Sequence, residues 1–203
     1  MSRPSEAAPA SNDARRVVWL LGLTFATLVL LALGGEEARL ALRYERQALL
    51  GGEWLRLVTG HLVHGSSTHL LLNCAGLLLI AALFPRAYSA AQWALVALAS
   101  ALAIDLGFVF LEPQLEWYVG FSGVLHGALA AGAVAWHRHE SQRLAWALTA
   151  ILVGKLAWEQ LRGALPLSGD LPVVVDAHLY GAVGGLIAGL LVWMSARDWS
   201  SDP

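Results

Sequence analysis

Charged residues are scarce in this chain. They make up 14% of its 203 residues, against roughly 25% in an average soluble domain. Hydrophobic residues account for 57%, and this excess predicts a protein whose solvent is lipid. A basic surplus is missing too, because the net charge is −2 and the 13 Lys and Arg residues are dispersed along the chain. Nucleic-acid binding requires a basic patch, so no nucleic-acid partner is expected.

Cysteine is nearly absent, and so are long linkers. Cys74 stands alone in an apolar stretch, which excludes an internal disulfide. No run of Gly, Ser or Pro is long enough to separate two domains. We therefore predict a polar N-terminal tail over residues 1–16, one membrane domain over residues 17–196 and a short C-terminal tail over residues 197–203.

Six hydrophobic stretches approach the roughly 20 apolar residues that a transmembrane helix needs. They cover residues 17–33, 62–84, 90–111, 119–136, 144–161 and 174–194. Basic residues flank alternate ends of these stretches, and the positive-inside rule places those ends in the cytoplasm. The flanking residues are Arg3, Arg15, Arg16, Arg86, Arg138, Arg143 and Arg197. The prediction is an all-α membrane protein, a bundle of six transmembrane helices with both termini cytoplasmic.

The first loop on the outer side, residues 34–60, is longer than an antiparallel helix connection requires. It is either a functional element at the membrane interface or a disordered excursion. Trp54 and Arg56 suit the interface, because aromatic rings and basic side chains lie at the depth of the lipid headgroups.

Ionisable residues inside the hydrophobic stretches are costly and need partners. Lys155 and Glu159 are one helical turn apart, so we expect them to pair with each other. The alternative is that their helix is a mobile gate beside a wet cavity. Asp105 is expected to pair with a buried donor, or else to join the hydrogen bonds around an active site.

A candidate nucleophile lies at the start of the fourth stretch. Ser122 stands in the sequence Gly120-Phe121-Ser122-Gly123, where small neighbours leave its hydroxyl unobstructed. The first turn of a helix has unpaired amides and a dipole that favours a nearby oxyanion. On its own, however, such a motif more often reflects helix packing through small residues.

Two more polar clusters lie near the outer ends of their helices. His69 and Asn73 are one turn apart on one helix face, so their side chains can converge on one point. His178 lies on the same smooth stripe as Gly181, and such a stripe lets another helix approach closely. A serine, a base and two donors are the parts that acyl transfer needs. No third acid is evident, because Asp176 points to a different helix face from His178.

A metal site is the competing interpretation of the histidines. In that case His61, His64, His69 and His126 belong to a metal-dependent membrane enzyme or transporter. The spacing of His69 and Asn73 does not favour it, because a helical zinc pair has two histidines four residues apart.

The order of the motifs His-x-x-x-Asn, Gly-x-Ser-Gly and Ala-His-x-x-Gly-x-x-x-Gly resembles the rhomboid intramembrane serine proteases over residues 17–194. The resemblance implies a Ser-His dyad, with Ser122 as nucleophile and His178 as general base. It also implies an oxyanion hole made by His69, Asn73 and the Ser122 amide, without a cofactor or metal. The alternative is a catalytically inactive rhomboid-like protein that binds membrane clients, which the intact serine and histidine disfavour.

One departure from the family pattern concerns His126, which replaces the tyrosine that most rhomboids carry four residues after the serine. We expect it to stack on His178. With His64 in the run Gly-His-Leu-Val-His, and with Asp-Ala-His-Leu-Tyr-Gly ending at Gly181, the chain is similar to the rhombosortases. That bacterial subfamily implies a multi-pass protein of the inner membrane whose active site opens to the periplasmic side. Its implied partners are membrane lipids and transmembrane substrates with a C-terminal anchor of the Gly-Gly type.

Overall fold

The computed structural model describes residues 12–139, 142–165 and 173–198. Its elements in chain order are α1 (Asn12–Leu33), α2 (Gly35–Leu42), β1 (Tyr44–Glu45), α3 (Arg46–Leu50), α4 (Arg56–Thr59), α5 (Ser67–Leu83), α6 (Ala90–Phe110), β2 (Trp117–Tyr118), α7 (Ser122–His139), α8 (Gln142–Arg162) and α9 (Val175–Asp198). Each predicted hydrophobic stretch coincides with one long helix. The described residues contain no strands besides the two short ones, so the prediction of an all-helical chain is confirmed.

The predicted tails differ from the observed helix ends. Helix α1 begins at Asn12, so it includes the last residues of the predicted N-terminal tail. Residues 1–11 lie outside the described residues. At the other end, α9 continues to Asp198, and residues 199–203 lie outside the described part of the chain.

Three of the described helices are long and apolar enough to cross a membrane. These spans are Asn12–Leu33, Ala90–Phe110 and Val175–Ser195, and Ser67–Leu83 is equally apolar in character but shorter. Helices α7 and α8 carry histidines and charged residues along their length, which lowers their mean hydropathy. The helices support a membrane protein, while the count of six spans stays a prediction.

Large apolar side chains cover the outer faces of the long helices. Trp19 is 74% exposed on α1, Leu98 is 70% exposed on α6, and Leu161 is 80% exposed on α8. A water-facing surface of this kind would be an aggregation hazard, whereas lipid tails solvate it at no cost. The outside of the bundle is therefore built for the hydrocarbon region.

Helices α7 and α9 pack backbone against backbone. A β-carbon at Gly181 would overlap the carbonyl oxygen of Gly123, and one at Gly185 would overlap that of Gly127. Only glycine permits this approach, as the small-residue stripe on α9 predicted. The contact sets the start of α9 against the start of α7.

The first loop is an ordered structure and not a disordered excursion. It contains α2, α3, α4 and β1, and β1 pairs antiparallel with β2 through Tyr44 and Tyr118. Arg56 donates from Nη1 to the carbonyl oxygens of Leu40 at 3.0 Å and Arg43 at 3.1 Å. These two bonds tie α4 to the end of α2 within the loop, while the pairing of β1 with β2 attaches the loop to the strand that leads into α7.

Arg46 provides a second attachment for this loop. Its guanidinium donates to the carbonyl oxygens of Leu115 at 3.0 Å, Phe108 at 2.6 Å and Glu112 at 2.7 Å. The last two oxygens lie at the C-terminal end of α6, where backbone carbonyls lack helical partners. The loop thereby joins the end of α6 to the segment that precedes Ser122.

Candidate active site

The turn before Ser122 requires glycine at position 120. Gly120 has φ +128°, a conformation that side chains with a β-carbon rarely adopt. The His69 ring also lies close, with Cε1 at 2.6 Å from where a β-carbon would be. The Tyr118 hydroxyl donates to the Gly120 oxygen at 2.7 Å, and the Gly120 amide donates to the Gly60 oxygen at 3.0 Å. This turn places Ser122 at the first position of α7.

The double requirement at position 120 leads to a stability prediction. We expect Gly120→Ala to lower the free energy of unfolding by about 2–5 kcal/mol, the backbone strain and the steric clash added together. Gly52→Ala is the matched control, because Gly52 has φ +96° but nothing within 4 Å of the added carbon. Gly52→Ala should lower the free energy of unfolding only by the backbone strain, about 1–2 kcal/mol. Unfolding by denaturant in detergent micelles measures both, and equal losses would refute the steric role of His69.

Ser122 and His178 are in hydrogen-bonding contact. The Oγ of Ser122 is 2.9 Å from the Nε2 of His178. His178 lies in the first turns of α9 and is only 5% exposed. The glycine contacts between α7 and α9 bring these two side chains together. The pair has the distance that proton transfer from a hydroxyl to a base requires.

The other ring nitrogen of His178 contacts a carboxylate. Glu159 of α8 is 3% exposed, and its Oε2 lies 2.9 Å from the Nδ1 of His178. A carboxylate only accepts hydrogen bonds, so Nδ1 carries the proton and the lone pair of Nε2 faces Ser122. Lys155 Nζ lies 2.6 Å from the same Oε2.

The predicted pairing of Lys155 with Glu159 is therefore confirmed, but the statement that no third acid is evident was wrong. The spacing of the two residues along α8 accounts for the ion pair alone. The position of α8 beside α9 is a tertiary property, and no local pattern reports it. The signal that could have found this contact was the carboxylate of Glu159 within a predicted transmembrane stretch, because a carboxylate there needs more partners than one partly exposed lysine.

His126 covers one face of the His178 ring. The two rings stack with centroids 4.1 Å apart and an interplanar angle of 18°, as expected from the sequence. His126 Nδ1 lies 2.7 Å from the Ser122 carbonyl oxygen, one turn back on α7, so it donates there. The stacking restricts rotation of the His178 ring.

His69 and Asn73 lie on the opposite wall of the same site. The Ser66 hydroxyl caps α5 by accepting from the His69 amide at 3.1 Å. The Asn73 side-chain nitrogen donates to the His69 oxygen at 3.0 Å, which leaves its second hydrogen available. The ring of buried His64 packs edge-on against His69 with centroids 5.1 Å apart.

One cavity of about 280 Å³ is lined by the polar side chains of this site, with the exception of His64 and Ser66. Its lining consists of His69, Leu72, Asn73, Gly76, Leu79, Ile80, Ser122, Leu125, His126, Leu129, Lys155, Glu159, Leu165, Val173 and His178. The volume approaches that of a small-ligand pocket, roughly 300 Å³ at the lower end. A mostly apolar cleft with convergent polar groups on facing walls can take an extended segment of chain.

The metal interpretation can be tested against the side chains present. His126, Glu159 and His178 offer ligand atoms within 4.8 Å of one another, a different set from the four histidines considered above. The Lys155 ammonium shares the Glu159 oxygen, however, and a second cation there would be repelled. The His178 nitrogens already face Ser122 and Glu159. This cluster therefore fits proton transfer better than metal binding.

His61 has a separate partner away from this cluster. Its Nε2 lies 3.2 Å from Asp105 Oδ1, so the predicted pairing of Asp105 with a buried donor is confirmed. The edge of the His61 ring packs on Tyr118, with centroids 5.6 Å apart. Asp176 lies in the first turn of α9. His61 and Asp105 support the turn at Gly120 through Tyr118, whose hydroxyl donates to the Gly120 oxygen.

Comparisons with known proteins agree with this architecture. Residues 51–195 match the family model described as Rhomboid domain. The chain is also 27% identical over 140 residues to the protein named "Putative rhomboid protease YdcA" of Bacillus subtilis (strain 168). That alignment covers 69% of this chain and 68% of the relative.

Proposed function

Because this chain belongs to the rhomboid family, we propose that it is an intramembrane serine endopeptidase with a Ser-His catalytic dyad. The observation that carries the proposal is the 2.9 Å contact between Ser122 Oγ and His178 Nε2. Both groups line a cavity in a bundle whose outer surface is apolar. A protease of this kind acts on peptide bonds of membrane-anchored proteins.

The chemistry follows from the orientation of His178. Its Nε2 takes the proton of Ser122 as the oxygen attacks the substrate carbonyl and forms the tetrahedral intermediate. The proton then passes to the departing amine, and the acyl group stays on Ser122. Water, activated by the same nitrogen, attacks the ester and releases the new carboxyl end. Both half-reactions therefore use one base.

The oxyanion of each intermediate needs donors that are already in place. We assign this role to His69, Asn73 and the backbone amide of Ser122. The free hydrogen of Asn73 and the unpaired amides of the first turn of α7 support the assignment. One such donor lowers the barrier by about 2.7–4 kcal/mol in other serine proteases. Gly120, Gly123 and Gly181 support the site by permitting its turn and its helix contact.

We further propose six transmembrane helices with both termini in the cytoplasm of a bacterium. The cavity then opens toward the periplasmic side of the inner membrane. Two observations support this topology. Basic residues lie at alternate helix ends, and Ser66 and Ser122 lie at the N-terminal ends of α5 and α7, away from those basic residues. Membrane lipids surround the bundle in this arrangement.

The substrate class we propose is that of the rhombosortases, namely surface or secreted proteins with a C-terminal anchor that begins with a Gly-Gly-type motif. A substrate helix must unwind before its carbonyl can reach Ser122. Two glycines make this easier, because each is about 1 kcal/mol less favourable in a helix than alanine. The assignment to this subfamily is supported by His126, which stands where most rhomboids carry a tyrosine, and by the motifs Gly-His-Leu-Val-His and Asp-Ala-His-Leu-Tyr-Gly.

The substrate proposal can be tested with the purified protein in lipid vesicles. The substrate is a reporter domain followed by Gly-Gly, an apolar anchor helix and a basic tail, and the control carries Leu-Leu instead. We expect cleavage of the Gly-Gly substrate to be at least about tenfold faster, from a helix-unwinding difference of about 2 kcal/mol. Equal rates for the two substrates would contradict the anchor specificity while leaving the protease intact.

The same assay separates the two alternatives. A catalytically inactive protein that binds membrane clients would retain the substrate uncut in several lipid compositions and would not react with a fluorophosphonate probe. A metal-dependent enzyme would lose activity with a chelator and keep it in Ser122→Ala. We expect neither outcome, and we expect the fluorophosphonate to form a covalent adduct at Ser122.

A further inference from the structure

We propose that the site works as a Ser122-His178-Glu159 triad, in which Glu159 and Lys155 together position His178. The carboxylate of Glu159 supplies a negative charge beside the imidazole, and the ammonium of Lys155 supplies a positive charge that offsets part of it. This inference rests on the proposed serine protease function. Glu159 holds the imidazole in the reactive tautomer and stabilises its protonated form. Lys155 places a positive charge beside that protonated form and opposes it.

The geometry of the three groups is specific to this arrangement. Lys155 Nζ and His178 Nδ1 lie 2.6 Å and 2.9 Å from one carboxylate oxygen, Glu159 Oε2. The two nitrogens are 3.4 Å from each other, and both donate to the shared oxygen. When His178 accepts the proton of Ser122, its new positive charge therefore forms beside one anion and one cation.

Burial makes these charges effective. The side chain of Glu159 is 2% exposed and that of His178 is 7% exposed, whereas Lys155 is 26% exposed and reaches the cavity. Charges interact more strongly where water is excluded, so Glu159 favours the imidazolium more than a surface carboxylate would. Lys155 offsets part of this effect because it is close and shares the same oxygen.

The other titratable groups around His178 do not replace this pair. His126 stacks on the ring from α7, and His69 approaches from α5. Asp176 lies in the first turn of α9 itself. Among the described residues facing His178, only Glu159 contacts Nδ1 through an anionic oxygen. An ion pair that merely offset the cost of two charges in α8 would not need that contact.

The test compares Glu159→Gln, Glu159→Asp and Lys155→Met with the unchanged protein in detergent. The second-order rate of Ser122 labelling by a fluorophosphonate is measured from acidic to basic pH, together with kcat and KM for the Gly-Gly substrate. Labelling requires the lone pair of His178 Nε2, so the pH dependence of its rate reports how the neighbouring charges act on the imidazole. Thermal unfolding verifies that each variant is folded.

We expect Glu159→Gln to lower kcat roughly 10²-fold or more while KM changes less than about threefold, because tautomer control and charge stabilisation are lost. Its labelling profile should move to lower pH, since Lys155 then opposes protonation alone. Lys155→Met should move the profile to higher pH, since Glu159 then acts unopposed. Glu159→Asp keeps the charge and should recover part of the kcat with a profile near that of the unchanged protein.

Asp105→Asn is the matched control, because it removes a carboxylate from another buried histidine, His61. It should reduce stability without moving the labelling profile. Profiles of Glu159→Gln and Lys155→Met that coincide with the unchanged protein would overturn the inference while leaving the protease intact. If Glu159→Gln does not fold, the shift in Lys155→Met decides in the same way. If the unchanged protein neither reacts nor cleaves, the proposed function fails and the triad fails with it.

Discussion

Replacing Ser122 by alanine is expected to abolish cleavage and probe labelling, with a loss on the order of 10⁴-fold or more. Without the hydroxyl, no acyl-enzyme forms, and only the oxyanion donors and substrate binding remain. His178→Ala should have an effect of similar size, since the two groups act as one unit at 2.9 Å. Cleavage of the Gly-Gly substrate by purified variants in vesicles measures both losses.

A serine elsewhere on the bundle provides the control for this loss. Ser195→Ala changes an exposed residue whose hydroxyl only donates to the Val192 oxygen on α9. Its cleavage rate should equal that of the unchanged protein. Thermal unfolding of Ser122→Ala should change only slightly, because Ser122 is partly buried and the hydroxyl gives up its hydrogen bond with His178. Cleavage that persists in Ser122→Ala would exclude this residue as the nucleophile.

Gly181→Ala should lower the free energy of unfolding by about 3 kcal/mol or more. The added methyl group would overlap the backbone of Gly123, so two helices must separate instead of one side chain rotating. Ala177 is fully buried one turn earlier on the same face, and its contacts would be lost as well. Separation of α7 and α9 also moves His178 away from Ser122, so the cleavage rate should fall together with stability.

Gly154→Ala is the matched control for this helix contact. Gly154 lies on α8 with nothing within 4 Å of the added carbon. Alanine there should stabilise the helix slightly, by roughly 0.5–1 kcal/mol, because glycine is the poorer helix former. Reversible unfolding in mixed micelles distinguishes the two variants. A stability of Gly181→Ala equal to that of Gly154→Ala would show that the helices do not depend on this contact.

The long helices of the fold were predictable because hydrophobic runs of membrane length specify helices directly. The long helices coincide with the predicted stretches, and the pairing of Lys155 with Glu159 was expected from their spacing. The stacking of His126 on His178 was expected from the resemblance to the rhomboid family. The loop over residues 34–60 was not predictable in detail. Its bonds through Arg46 and Arg56 end on backbone carbonyls, which carry no sequence signature.

The chain by itself determined which segments are helical and which polar residues lie near their ends, because periodicity and hydropathy are local properties. It also marked Ser122, His178, His69 and Asn73 as candidates through their spacing. Only the tertiary structure decided that Glu159 faces His178, because that contact depends on how α8 lies beside α9. No pattern within either helix encodes their relative position, which depends on the packing of Leu152 of α8 with Ala130 of α7 and Ala182 of α9.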